Sequence, residues 1–161
     1  MKTIELSNGL CVVVDDEDHA ALVAHRWCPS GARPYAMRIV TAGGVRRAVW
    51  MHRVVAQAPD HLEVDHVNGN RLDNRRANLR PCTRSQNAKN LSRRVQVKTS
   101  RFKGVHWNDR DRRWYAVIHA NRKRHHIGCF SDELAAARAY DNAARTLHGE
   151  FARLNFQGET R

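Results

Sequence analysis

Glu63-Val64-Asp65-His66-Val67-Asn68-Gly69-Asn70-Arg71-Leu72-Asp73-Asn74-Arg75-Arg76-Ala77-Asn78-Leu79-Arg80-Pro81-Cys82-Thr83-Arg84-Ser85-Gln86-Asn87 decides the reading of this chain. Glu63 to His66 has the pattern of a short strand, and Leu79 to Cys82 that of its partner. Between them Asn68, Gly69, Asn70, Asp73 and Asn74 are turn formers. Thr83-Arg84-Ser85-Gln86 is a capping box, so a helix begins at Thr83 and carries Asn87 in its first turn or so. The expected unit is strand, loop, strand, helix. An acid beside a histidine can hold a divalent cation and a water-activating base a few ångströms apart. Two downstream asparagines can complete the metal site and hold the imidazole. That is the minimum set for metal-assisted phosphodiester hydrolysis.

Upstream of this stretch, Thr3 to Leu6 and Leu10 to Val14 flank Asn8-Gly9, a hairpin signal. Asp15-Asp16-Glu17-Asp18 reads as the acidic entrance of a helix running through Ala21, Leu22 and Val23. Tyr35 to Val40 and Arg46 to Trp50 read as two strands around Gly43-Gly44, and Trp50 to Ala56 as a helix ended by Pro59. His52, in Met51-His52-Arg53, suits helix packing or a phosphate contact equally.

Downstream, Asn90 to Ser100 is basic and nearly free of large apolar side chains, as a linker would be. Phe102–Trp107, Trp114–Ala120 and His125–Phe130 then read as three strands. Ser131 is the expected cap of a final helix, with Leu134, Ala135, Ala139, Ala143 and Leu147 as its apolar stripe and Gly149 just past its end. Strand alternation puts Arg113, Tyr115, Val117 and His119 on one sheet face and Trp114, Ala116, Ile118 and Ala120 on the other. The expected class is α+β: a small β-rich region leading into the strand–loop–strand–helix unit, then a three-stranded antiparallel sheet packed on one helix. The expected domains are 1–92 and 101–156, with a linker at 93–100 and a tail at 157–161.

The 161 residues carry a net charge of +12. Lys and Arg number 7 against 6 acids over residues 1–60, 9 against 3 over 61–100, and 12 against 7 over 101–161. The surplus begins where the Asp-His stretch begins. Arginine dominates it, and guanidinium forks match phosphate and guanine edges. A polyanion is therefore the expected partner, held by counterion release. Cys11, Cys28, Cys82 and Cys129 are too far apart for a zinc knuckle, so no zinc is expected. Free thiols in a reducing, intracellular compartment are the expectation. No apolar run approaches transmembrane length and no signal-peptide pattern is present, so no membrane partner is expected.

Asp65, His66, Asn78 and Asn87 resemble the HNH nuclease family with its ββα-metal motif, particularly its homing-endonuclease branch, over about residues 50–90. The resemblance implies that His66 is the general base and that Asn78 orients it. It implies that Asp65 and Asn87 ligate one ion, Mg2+ or Mn2+, in an H-N-N variant of the motif. Asn90 is the alternative to Asn87. Arg71, Arg75, Arg76 and Arg84, interleaved with this set, are candidate DNA contacts.

Phe102-Lys103-Gly104-Val105, Arg113-Trp114, Ile127-Gly128-Cys129-Phe130, Ala135 to Ala144 and Leu154-Asn155-Phe156 resemble the Apetala/ethylene-response-factor (ERF) type of DNA-binding domain over residues 101–156. This implies a sheet that enters the major groove of double-stranded DNA. The matching contact positions are Lys103, His106, Arg113, Trp114, His119 and Arg124, although strand alternation suits Trp114 to the core face. Together the resemblances imply a sequence-directed, metal-dependent DNA endonuclease of a phage or bacterial cell's cytoplasm, with no obligate protein partner. The alternative is a non-catalytic DNA-binding regulator with a decayed nuclease site.

Overall fold

In the computed structural model, which describes residues 1–32, 34–90 and 99–156, the chain divides into two compact units, Met1–Asn87 and Ala88–Arg161. The basic linker expected at 93–100 lies largely outside the described residues, as does the tail at 157–161.

The first unit starts with the expected hairpin, β1 (Lys2–Glu5) and β2 (Cys11–Val14), turned by Gly9 at φ +84°. Helix α1 (Asp16–Val23) follows. Its acidic entrance does not cap it, because Asp15, at the N-cap, makes no side-chain cap bond. Asp15 accepts the backbone N–H of Arg76 instead (2.8 Å). A two-residue strand, β3 (Cys28–Pro29), was not foreseen; it edges a sheet with β4 (Ala36–Ala42) and β5 (Val45–Trp50). Helix α2 (Met51–Ala56) then leads to β6 (Glu63–His66), whose antiparallel partner is β7 (Leu79–Cys82). Helix α3 (Arg84–Asn90) begins with the predicted reciprocal cap: Thr83 N donates to Gln86 Oε1 (2.8 Å) and Gln86 N to Thr83 Oγ1 (3.3 Å).

One core unites these pieces. Ile4, Leu6, Val12 and Val14 from the hairpin pack with Leu22, Trp27, Met51, Val55, Val64 and Leu79. Val12 and Val14 are fully buried. At about 1.5–3 kcal/mol each, two buried valines rival the net stability of a small domain. The hairpin is thus integral to the unit. It also reaches the Asx-rich loop: Val13 N donates to Leu72 O and Asn74 N to Val13 O, both at 2.8 Å.

The second unit is an antiparallel sheet in the order β10 (Lys123–Phe130), β9 (Arg113–Ala120), β8 (Val105–Asn108), with α4 (Glu133–His148) packed on it. Ala116, Ala136, Ala137 and Ala144 have no exposed surface, which lets helix and sheet approach closely. The N-cap is Asp132, not Ser131; its carboxylate accepts Ala135 N (2.7 Å). The expected stripe is out of phase with the buried face: Ala135, Ala139 and Ala143 are half-buried at its edge, and Ala143 packs on the core. Leu134 and Leu147 are exposed, while Ala136, Ala137, Tyr140, Asp141, Ala144 and His148 are buried. Each buried polar group has a purpose: Asp141 accepts the N–H groups of Asn155 (2.8 Å) and Phe156 (3.0 Å), and His148 Nε2 donates to His119 O (3.1 Å). Asn155 then clamps Lys103, accepting its N–H (2.6 Å) and donating to its C=O (3.1 Å). This explains physically why Leu154-Asn155-Phe156 belongs to the module.

Candidate active site

Strand alternation at the end of β6 sends Asp65 and His66 to opposite sides. On one side His66 is buried with its Nε2 2.9 Å from Asn74 Oδ1. An amide oxygen only accepts, so Nε2 carries the proton and Nδ1 is the basic nitrogen. Burial holds the imidazole below the ordinary histidine range, against the opposing pull of the Asn74 bond and of Asp65. The ring is therefore neutral at physiological pH, as a general base must be. It packs among aromatic neighbours: His52 at 5.4 Å and Tyr35 at 5.8 Å between ring centroids. Arg71 lies over the Tyr35 ring at 4.4 Å. His52 is buried among these rings, so of its two expected roles it performs packing.

Asn78, expected to hold the imidazole, does not touch it. Its Oδ1 accepts Asn68 N (3.0 Å) and its Nδ2 donates to Asp73 O (2.7 Å). Asn78 thereby closes the loop on itself, and Asn74 holds the ring. The choice among loop asparagines follows from β2, whose Val13 fixes the backbone at Asp73 and Asn74 from sixty residues away in sequence. No local signal carries that.

On the other side, Glu63 and Asp65 share a face of β6. Arg80, the cross-strand partner of Asp65, donates to its Oδ2 from Nε (2.9 Å) and Nη2 (2.7 Å). Asn87 Nδ2 donates to Glu63 Oε2 (2.6 Å). Glu63 thus joins the site through Asn87, which no local sequence signal marks. Among the described residues no three of His, Cys, Asp and Glu converge as a ready-made metal cluster. The donors on this face are all oxygens, from two carboxylates and an amide. That set fits a hard divalent ion that keeps much of its water, and does not suit zinc.

The interleaved arginines divide. Arg84 is exposed at the start of α3. Arg75 grips Asp73 through two 2.7 Å bonds, and Arg76 grips Asp18 (2.9 and 2.6 Å) with Glu17 beside it (2.8 Å). These two, expected on phosphates, are engaged by carboxylates within the unit. Runs of arginine do not announce which acids fold back onto them.

In the second unit one sheet face collects the expected contacts. Cross-strand register places His106 opposite Tyr115, Asn108 opposite Arg113, and His119 opposite Arg124. Tyr115 sits between His106 (5.7 Å) and His126 (5.0 Å), and its hydroxyl donates to Asp111. His126 and Cys129 (3.9 Å apart) complete the row. Trp114 packs on the opposite, core side, against the Phe102 and Ala137 cluster. Lys103 is not on this face. Its ammonium donates to Lys89 O (2.7 Å), and burial lowers its pKa to about 8.

Residues 47–89 match the family described as HNH endonuclease. Over 95 residues the chain is 30% identical to Protein 3.8 of Escherichia phage T7, covering 59% of this chain and 77% of that protein. Over 111 residues it is 32% identical to an uncharacterized HNH endonuclease of Acanthamoeba polyphaga mimivirus, covering 69% of this chain and 56% of the viral one. A stretch of 60 residues is 47% identical to an AP2/ERF and B3 domain-containing protein of Oryza sativa subsp. japonica, which is 37% of this chain but 16% of the plant protein. No helix among the described residues is long and apolar enough to cross a membrane.

Proposed function

The chain belongs to the HNH endonuclease family, and on that premise we propose that it is a divalent-metal-dependent DNA endonuclease directed to its target by the second, ERF-like unit. The carrying observation is His66, buried and neutral, with Nε2 tied to Asn74 and Nδ1 as the ring's basic nitrogen. A phosphodiester laid across the end of β6 meets both sides of the strand. His66 Nδ1 takes a proton from the attacking water, worth on the order of 10²–10⁴-fold in rate. Asn74 keeps the ring in the tautomer that can do so. Asp65 and Asn87 would hold magnesium or manganese, which supplies charge neutralisation at the phosphodiester and its leaving oxygen. Asn78 holds the loop and not the base. Arg84 and Arg71 supply positive charge beside the site. On the second unit the His106, Arg113, His119 and Arg124 face contacts duplex DNA. The likeness to Protein 3.8 of Escherichia phage T7 supports a phage or bacterial setting.

The Asp65–Arg80 pair favours the rival reading, a regulator whose site has decayed, because the guanidinium competes with a cation for the carboxylate. The two readings part in one experiment. Plasmid and genomic DNA are incubated with the full chain in magnesium or manganese, with and without excess chelator. The nuclease reading expects metal-dependent cutting, lost in His66→Ala at unchanged DNA affinity. A wild-type chain that binds DNA and cuts in neither metal, or a His66→Ala chain that cuts at the wild-type rate, overturns it.

A further inference from the structure

Residues 1–60 are nearly balanced in charge, but the balance hides a division. Every acid of that segment lies at Glu5, at Asp15–Asp18 or at Asp60. Residues 19–59 hold six arginines, no lysine and no acid. One of the six, Arg53, is spent on the carbonyls of Leu62 (2.7 Å), Ala58 (3.2 Å) and Pro59 (2.9 Å). Three others, Arg38, Arg46 and Arg47, are on the β4–β5 ribbon. Among the described residues none of these three forms an ion pair.

The ribbon's outer half stands clear of the core. Thr41 to Ala48 are all exposed, and Val45 and Ile39 are among the large apolar side chains left in solvent. Gly43 (φ +57°) and Gly44 (φ +77°) make the tight, twist-matched turn that keeps it narrow. Register puts Arg46 opposite Thr41 and Arg47 opposite Val40, so the two guanidinium groups leave from opposite faces of the tip. Alternation then ties the Arg46 face to the site: Thr41, Ile39, Met37 and Tyr35 follow on one strand, Ala48 and Trp50 on the other. Tyr35 is the ring that packs against His66.

We propose that the β4–β5 ribbon is a DNA-docking element of the first unit, seated in a groove next to the phosphodiester that His66 addresses, with Arg46 and Arg47 on the two walls. This rests on the reading that the substrate is duplex DNA. The dimensions fit. A two-stranded ribbon enters the major groove, about 12 Å wide and about 8.5 Å deep. The exposed portion, about four residues a strand at about 3.3 Å each, reaches roughly 13 Å. The charge selects the occupant: Arg46 and Arg47, which form no ion pair among the described residues and stand on opposite faces of a narrow ribbon in a segment without acids, complement two phosphate strands.

The test uses the full chain, a mixed-sequence 40-base-pair duplex and fluorescence anisotropy at several salt concentrations. The R46Q/R47Q variant should lower the steepness of log affinity against log salt by about 1.8 units, roughly 0.9 per lost phosphate contact. R46Q and R47Q alone should each remove about half of that, which keeps the test open if the double variant is unstable. R46K/R47K should restore the slope. R145Q, on α4, is the control and should leave it unchanged. The proposal is overturned if R46Q/R47Q melts normally and keeps the slope and affinity of R145Q. Cleavage by the same proteins separates this from the nuclease reading. Wild type that never cuts, alongside a variant that loses affinity, sinks the nuclease and keeps the ribbon. Wild type that cuts, alongside a variant that binds and cuts equally well, sinks the ribbon alone.

Discussion

Acid should destabilise the first unit by an amount traceable to His52. The ring is 9% exposed, packs 5.0 Å from Tyr35 and 5.4 Å from His66, and its Nδ1 has no hydrogen-bond partner among the described residues. Burial first, then repulsion from His66 once it is protonated and from Arg53, pushes its pKa down to about 3. Unfolded, the ring titrates near 6.5. Between those values the unfolded chain binds a proton that the folded chain refuses. The stability contributed by neutral His52 is therefore whole above about pH 6.5 and is lost as pH falls toward 3. Each pH unit in that window costs about 1.4 kcal/mol, so going from pH 7.5 to 4.5 costs roughly 3 kcal/mol. For a unit of this size, with a total on the order of 4–13 kcal/mol, that is a large fraction. His66, also held down by burial, adds in the same direction. Urea midpoints at the two pH values, for wild type and His52→Phe, give the difference, and the His52 ring-proton shift by NMR gives the titration itself. The variant should lose most of the pH dependence, and the shift should stay flat from pH 8 to 4.5. A His52 that titrates near 6.5, or a variant as acid-sensitive as wild type, refutes the reasoning and reopens a cationic phosphate contact.

Asn74→Ala should slow single-turnover cleavage at least tenfold at unchanged affinity, and should cost about 1–3 kcal/mol by leaving the buried His66 Nε2–H unpaired; an unchanged rate would deny Asn74 its positioning role. Arg80→Gln should lower the magnesium concentration that gives half-maximal cutting, since it removes the cation paired with Asp65; a higher requirement would mean that Arg80 supports the metal ligand and does not compete with the ion. Gly104→Ala should unfold the second unit at lower temperature. A methyl there overlaps the Tyr140 ring, lies 2.6 Å from Val117 O and sits at φ +74°, together about 2–5 kcal/mol, and an unshifted melt would contradict that packing.

What the sequence made legible was local. The Thr83–Gln86 box, the Glu63–His66 and Leu79–Cys82 strands, and the ordering of the second sheet each rest on residues within one element or one turn. What it hid depended on distant partners. Asn74 and Asn78 are equivalent turn formers until β2 pins one of them beside His66. Arg75 and Arg76 are cations until Asp73 and Asp18 close on them. The phase of α4 is hidden because alanine surrounds the helix, and its buried face is marked by Asp141 and His148, polar residues whose partners are backbone groups elsewhere. Lys103 fits a contact motif, yet its ammonium reaches Lys89 O.

The β2 strand's grip on the Asx-rich loop has a consequence for how such proteins can be recombined. The stretch that matches the nuclease family begins at residue 47, yet Val13 supplies two of the loop's backbone bonds, and Val12 and Val14 fill the floor beneath Met51 and Val64. A graft cut at residue 47 would carry Asp65, His66 and Asn74 without the hairpin that fixes the loop beside them. The hairpin at residues 2–14 therefore has to travel with the strand–loop–strand stretch, because the two fold as parts of one compact unit.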